Sequence, residues 1–217
     1  MLKEELNNLK KQLIEESMLV EENLDHSFKG FLAHNVQNLD RVFTIENKID
    51  KLNMKIEENC TSLIALKRPG TKNLRTIIAV MKINNVIERM GDLTVNIVKS
   101  YKFLLDHPYH RPLIELASLA KESKNMLKNS ITSFIEENED LALNVCKQDH
   151  KIDLIHKKFF KILISESDLN IAIAFHLNRI SKNYERISDL TTNIAECSIY
   201  MIRGHLVKHS ALETGIG

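Results

Sequence analysis

The phrases ERMGDLTVNI (88–97) and ERISDLTTNI (185–194) repeat Glu, Arg, Asp, Leu, Thr, Asn and Ile at the same offsets, 97 residues apart. Each copy sets Glu, Asp and Asn at i, i+4 and i+8, so in a helix the three side chains stack along one face. Six positions pair an acid with Asp four residues on: Glu21/Asp25, Glu46/Asp50, Glu88/Asp92, Glu136/Asp140, Asp149/Asp153 and Glu185/Asp189. Four of these pairs are themselves duplicated. Glu46/Asp50 stands in IENKIDKL and Asp149/Asp153 in QDHKIDLI, with the shared K-I-D core offset by 103 residues from Asp50 to Asp153. Carboxylates from two facing helices form an oxygen-rich set that can hold a cation, and iron, zinc, manganese or magnesium all fit on ligand type.

A solvated helix face also carries such pairs, but it has no reason to repeat in register. Glu46 and Asp50 each follow an apolar seam residue, Ile45 and Ile49, and so flank the buried stripe. Four carboxylates brought into one inter-helix groove repel one another and lose part of their hydration. A multivalent cation would offset that cost; so would arginines, and Arg89 and Arg186 stand beside the two stripes. The arginines point about 100° away from the carboxylates on their own helix, which also suits a partner helix or a ligand.

Asn96 and Asn193 extend the stripes by one turn, either as helix–helix hydrogen-bonding groups or as ligands. Asn53 and His156 occupy equivalent positions, and His156 is either a hydrogen-bonded core-edge residue or a ligand of the second half alone. Glu57 continues the first-half stripe where the second half has Phe160, so the two sites are not identical.

The elements that must position these groups are helices. Leu2, Leu6, Leu9, Leu13, Val20, Leu24 and Phe31 set the first, over 2–31. Val42, Ile45, Ile49, Leu52, Ile56 and Leu63 set the second, over 36–66. KRPG (67–70) stops it, with Gly70 suited to the left-handed cap, and Thr71 can cap a third helix running to about 105. DHPYHRP (106–112), with two prolines, reads as a linker. Three more helices follow, over 113–136, from Asp140 as N-cap to about 164, and over 169–203, with Gly204 ending or interrupting the last. The expectation is an all-α chain of two three-helix bundles, 1–107 and 108–217.

Composition narrows the function. Thirty basic against 29 acidic residues leave no basic field to attract nucleic acid. No apolar run approaches a membrane span, and the charged N-terminus reads as a helix and not as a signal peptide. Cys60, Cys146 and Cys197, odd in number and far apart, read as reduced thiols of a cytoplasmic protein. No phosphate loop or nucleophile motif is present, which points away from an enzyme. A di-metal carboxylate enzyme would want paired Glu-x-x-His motifs, and Asp153/His156 is the one approximation.

The doubled ERxG/SDxxxNI phrase, each preceded by an acid-x-x-[IV]-D motif, resembles the PhoU family of phosphate-uptake regulators. IEENCTSLIALKRPGTKNLRTIIAVMKINNVIERMGDLTVNI (56–97) is similar to the family's first-half signature, and YMIRGHLVKH (200–209) to its C-terminal phrase. The resemblance implies two pseudo-symmetric three-helix bundles bearing multinuclear iron or zinc clusters. Carried over, the ligands are Glu46, Asp50, Glu88 and Asp92 in the first half and Asp149, Asp153, Glu185 and Asp189 in the second. It further implies a homodimer in the cytoplasm, without catalysis, that links the ATPase subunit of a phosphate ABC transporter to a sensor histidine kinase and restrains the phosphate-starvation response. One departure is Lys99, where the second repeat carries Glu196; a lysine beside the first cluster would repel cations.

Overall fold

A computed structural model describes residues 2–107, 109 and 113–205. Six helices account for almost all of them: α1 (Leu2–Leu32), α2 (Val36–Lys67), α3 (Thr71–Asp106), α4 (Ile114–Ile135), α5 (Glu139–Ser165) and α6 (Ile171–Arg203). At 36 residues α3 is about 54 Å long. No helix among the described residues is long and apolar enough to cross a membrane.

Helices α1, α2 and α3 pack mutually, and so do α4, α5 and α6. The two trios join most extensively along α3 and α6, with a second contact between α1 and α4. That is the expected pair of three-helix bundles, related so that α1, α2 and α3 correspond to α4, α5 and α6. Pro108, His110, Arg111, Pro112 and the C-terminal stretch from residue 206 lie outside the described residues.

The apolar seams make the core: Leu9, Leu13, Val20, Val42, Ile49, Ile56, Ile83 and Ile87 in the first bundle, and Leu116, Leu127, Val145, Ile152, Phe159, Ile180 and Ile187 in the second. The α3–α6 junction includes a buried polar pair. Tyr101 and Tyr184, both fully buried, meet hydroxyl to hydroxyl at 3.3 Å, and Phe31 stacks on Tyr101 at 4.2 Å. Serines line the α4–α6 contact. Ser188 Oγ donates to Ser123 Oγ at 3.1 Å, and Ser133 Oγ donates to Ser198 Oγ at 3.3 Å, while each of these hydroxyls also bonds a carbonyl of its own helix. Such small side chains let two backbones approach closely without leaving a polar group dry.

Helix ends depart from expectation in three places. Arg68, at φ 45°, takes the left-handed cap of α2, while Gly70 is extended. Gly70, not Thr71, is the N-cap of α3 and offers no side-chain bond, since Thr71 is already helical. Asn138 caps α5 by accepting from Leu141 N at 3.0 Å, leaving Asp140 in the first turn, where its charge suits the helix dipole. Gly204, at φ 84°, ends α6.

Candidate metal centres

In the first bundle, Glu46 and Asp50 project from α2 toward Glu88 and Asp92 of α3. Glu46 is the deepest. Burial, then the charges of Asp50, Asp92 and Glu88, push its carboxyl up to about 8. Its Oε1 is buried without a hydrogen-bond partner, and its Oε2 accepts only a long bond from Asn23 Nδ2 at 3.4 Å. Burial and the neighbouring Asp92 and Asp50 also raise Glu88, which Arg89 only partly counters. No lysine, arginine or histidine forms a salt bridge with any of the four acids among the described residues. Lys99, an exposed residue, is not among the charges acting on Glu46 or Glu88.

Gly91 makes room for this arrangement. A Cβ at 91 would stand 2.6 Å from Glu46 Oε2 and 2.8 Å from Oε1, so the carboxylate occupies the space of the missing side chain. The second bundle has Ser188 at the equivalent place and the shorter Asp149 opposite.

In the second bundle, Asp153 of α5 and Glu185 and Asp189 of α6 bring one oxygen each within 4.8 Å of one another. Burial, then Glu185 and Asp149, raise Asp189 to about 6. This cluster carries cations of its own. Lys182 Nζ lies 2.6 Å from both Glu185 oxygens, and Lys157 Nζ lies 3.6 Å from Asp153 Oδ2. His156 turns its Nδ1 to Ser181 Oγ at 2.7 Å. Its first-half equivalents do the same work with amides: Asn53 and Asn84 each donate to the other's backbone carbonyl, at 3.3 and 3.0 Å. Position 156 is thus an inter-helix tie in both halves.

The remaining sequence candidates scatter. Asn96 accepts from Arg179 Nη2 at 3.0 Å, a bond from α6 to α3. Asn193 is exposed. Glu57 is exposed and its charge acts on the Cys60 thiol, and half-buried Glu196 acts on Cys146 and Cys197. Arg89 and Arg186 are exposed, make no salt bridge among the described residues, and line one groove of about 400 Å³ over the α3–α6 junction. Asp92, Asp189, Asn96 and Asn193 line it too, each position paired with its repeat counterpart. Of the other two acid pairs, Glu21/Asp25 is neutralised by lysines: Asp25 Oδ2 accepts from Lys124 Nζ at 2.7 Å. Glu136/Asp140 brackets the α4–α5 turn.

Sequence reasoning missed Glu16. It is fully buried on α1, and neither carboxylate oxygen has a partner within bonding distance. Burial, opposed by the side chain of Asn53 and helped by the charge of Glu88, raises it to about 9. A signal was present: Glu16 fills the i+3 slot between Leu13 and Val20 in an otherwise apolar stripe.

The donor set fits a metal. It is all carboxylate oxygen, which suits a hard cation, and in the first bundle it includes a buried oxygen with nothing to bond. No cysteine belongs to the Asp153, Glu185 and Asp189 group, and burial pushes Cys60 and Cys146 up to about 12 and Cys197 to about 11, which keeps them as thiols in the metal-free protein.

Comparison with known proteins agrees with the doubled architecture. The family model described as the PhoU domain matches twice, at residues 13–100 and 116–198. A phosphate-specific transport system accessory protein PhoU homolog of Aquifex aeolicus is 33% identical over 212 residues, 96% of each chain. Its Serratia marcescens counterpart is 26% identical, over 94% of this chain and 86% of that one. The crystal structure of PhoU from Pseudomonas aeruginosa superposes with a TM-score of 0.90 at 24% identity, covering 94% of this chain and all of that one, a likeness of fold.

Proposed function

The chain belongs to the PhoU family, and from that premise we propose that it is a metal-binding cytoplasmic regulator of phosphate uptake. The observation that carries the metal reading is the first-half cluster. Glu46, Asp50, Glu88 and Asp92 repel one another across α2 and α3 without a salt-bridged cation among the described residues, and Glu46 keeps a buried oxygen unbonded, while the oxygens that meet within 4.8 Å are those of Asp153, Glu185 and Asp189. An arrangement that repels itself this strongly persists in a fold only if something else neutralises it. Protons do so in part, as the raised Glu46 and Glu88 indicate; a multivalent cation does so without removing the carboxylate charge. Bound metal supplies charge neutralisation and cross-linking. Glu46 and Asp50 would hold it from α2, Glu88 and Asp92 from α3, and Asp149, Asp153, Glu185 and Asp189 from the second bundle.

The role is that of an adaptor without catalysis of its own. It couples the ATPase subunit of a phosphate ABC transporter to a sensor histidine kinase and holds the starvation response down when phosphate is ample. The names of its relatives support the transport context. Arg89 and Arg186, uncommitted in the α3–α6 groove, are charges available to a docking partner or to the other half of a homodimer. We take 1–107 and 108–217 as its two repeats, a reading the pseudo-symmetry supports.

Metal analysis of protein purified without tag or chelator tests the reading. Several equivalents of iron or zinc per chain are expected, lost in Asp92→Ala/Asp189→Ala with helicity retained by circular dichroism. Stoichiometric metal remaining in that double variant overturns the ligand assignment.

A further inference from the structure

The two acidic sites differ in one respect that the repeat does not predict: the second contains an ammonium group. Lys182 Nζ sits 2.6 Å from both oxygens of Glu185, a residue only 8% exposed. Glu185 is also the acid that shares the compact cluster with Asp153 and Asp189. The equivalent residue in the first repeat is Asn85, which is exposed and neutral. Lys157, beside Asp153, adds a second cation, and no lysine or arginine makes an ion pair with the first-half acids among the described residues.

We infer that Lys182 is a built-in competitor for metal, so that the first-half site fills first and the second fills only by displacing the Lys182 ammonium from Glu185. This rests on the metal reading above. A cation bound by Asp153, Glu185 and Asp189 must compete for the Glu185 oxygens with the ammonium that lies 2.6 Å from both, and the two positive charges repel at this range. Displacement is open to Lys182 because its stem is flexible and its side chain half exposed, so the ammonium can swing into water. The first site has no such step: no ammonium is displaced there, and among the described residues the one hydrogen bond to Glu46 is the long one from Asn23. Lys99 is not among the charges acting on Glu46 or Glu88; the lysine that lies in a cluster is Lys182, and the cluster is the second. The two halves then respond to different metal concentrations, the first as a standing structural site and the second as a graded one.

The test is calorimetric titration of the full-length metal-free protein with zinc chloride at neutral pH, in the wild type and in Asp92→Ala, Asp189→Ala, Lys182→Gln and Asn85→Lys. Two classes of site are expected, the tighter lost in Asp92→Ala and the weaker in Asp189→Ala. Lys182→Gln should tighten the weaker class roughly tenfold or more, given one unit charge removed at contact distance from a partly screened site. Asn85→Lys should weaken the tighter class. A weaker class unmoved by Lys182→Gln, or a tighter class that disappears in Asp189→Ala, overturns the inference while leaving metal binding intact. Absence of zinc binding in every form, with helicity normal, overturns the metal reading itself and this inference with it.

Discussion

Gly91 of α3 lies directly under Glu46 of α2, so close that a Cβ on residue 91 would stand 2.6 Å from the carboxylate. The shared volume links two sequence differences that look unrelated. Where the first repeat has Gly91 and Glu46, the second has Ser188 and Asp149, one methylene shorter.

Gly91→Ala should therefore separate stability from metal affinity. The colliding atoms are the end of a flexible side chain, so Glu46 can swing away, and alanine gains up to about 1 kcal/mol of helix propensity. Thermal stability should hold or rise slightly, while zinc affinity of the tighter class falls. An unchanged affinity, measured by titration, would show that Glu46 is not a ligand or that it relocates without cost.

Glu16 predicts how stability depends on pH. Its folded pKa of about 9 lies above the unfolded value of about 4.5. The stability associated with its protonated form is fully present below pH 4.5 and is lost as pH rises toward 9. At pH 7 the penalty is about 3 kcal/mol, as an order of magnitude. Glu16→Gln keeps the shape and removes the titration. Denaturant unfolding should show the variant more stable than wild type at pH 8 and nearly equal at pH 4.5; equal stability at both would mean that Glu16 finds a partner for its charge.

Much of this was legible in one dimension. The two in-register acid motifs and the helix seams follow from local spacing, and they fix the bundle count and the faces that carry the acids. Glu16, Gly91 and Lys182 matter through contacts across helices. Periodicity says which face a residue occupies but not what stands opposite it. The caps show the same limit. KRPG (67–70) marks a stop, but that Arg68 and not glycine takes the left-handed conformation depends on where the next helix has to start.

Arg89 and Arg186 provide a test of the salt-bridge alternative. Both are exposed and without an ion pair among the described residues. Arg89→Gln/Arg186→Gln should change unfolding free energy by no more than about 0.5 kcal/mol per site. A loss well above that would show that the guanidiniums neutralise the clusters, and would weaken the case for metal. If stability holds while binding of the transporter ATPase subunit in a pull-down is lost, the groove is a docking surface.

The Tyr101–Tyr184 pair predicts coupling between the two bundles. Each hydroxyl is fully buried at the α3–α6 junction, and burial pushes both well above the ordinary phenol range, Tyr184 to about 12, so both remain neutral. Tyr184→Phe leaves the Tyr101 hydroxyl without its partner, at a cost of about 1–3 kcal/mol. Tyr101→Phe should cost less, because Ser27 also lies within reach of the Tyr184 hydroxyl. Replacing both removes the buried pair together, and the double variant should be more stable than the two single losses add up to. Strict additivity in chemical denaturation would mean that the hydroxyls do not depend on each other and that this pair does not couple the two bundles.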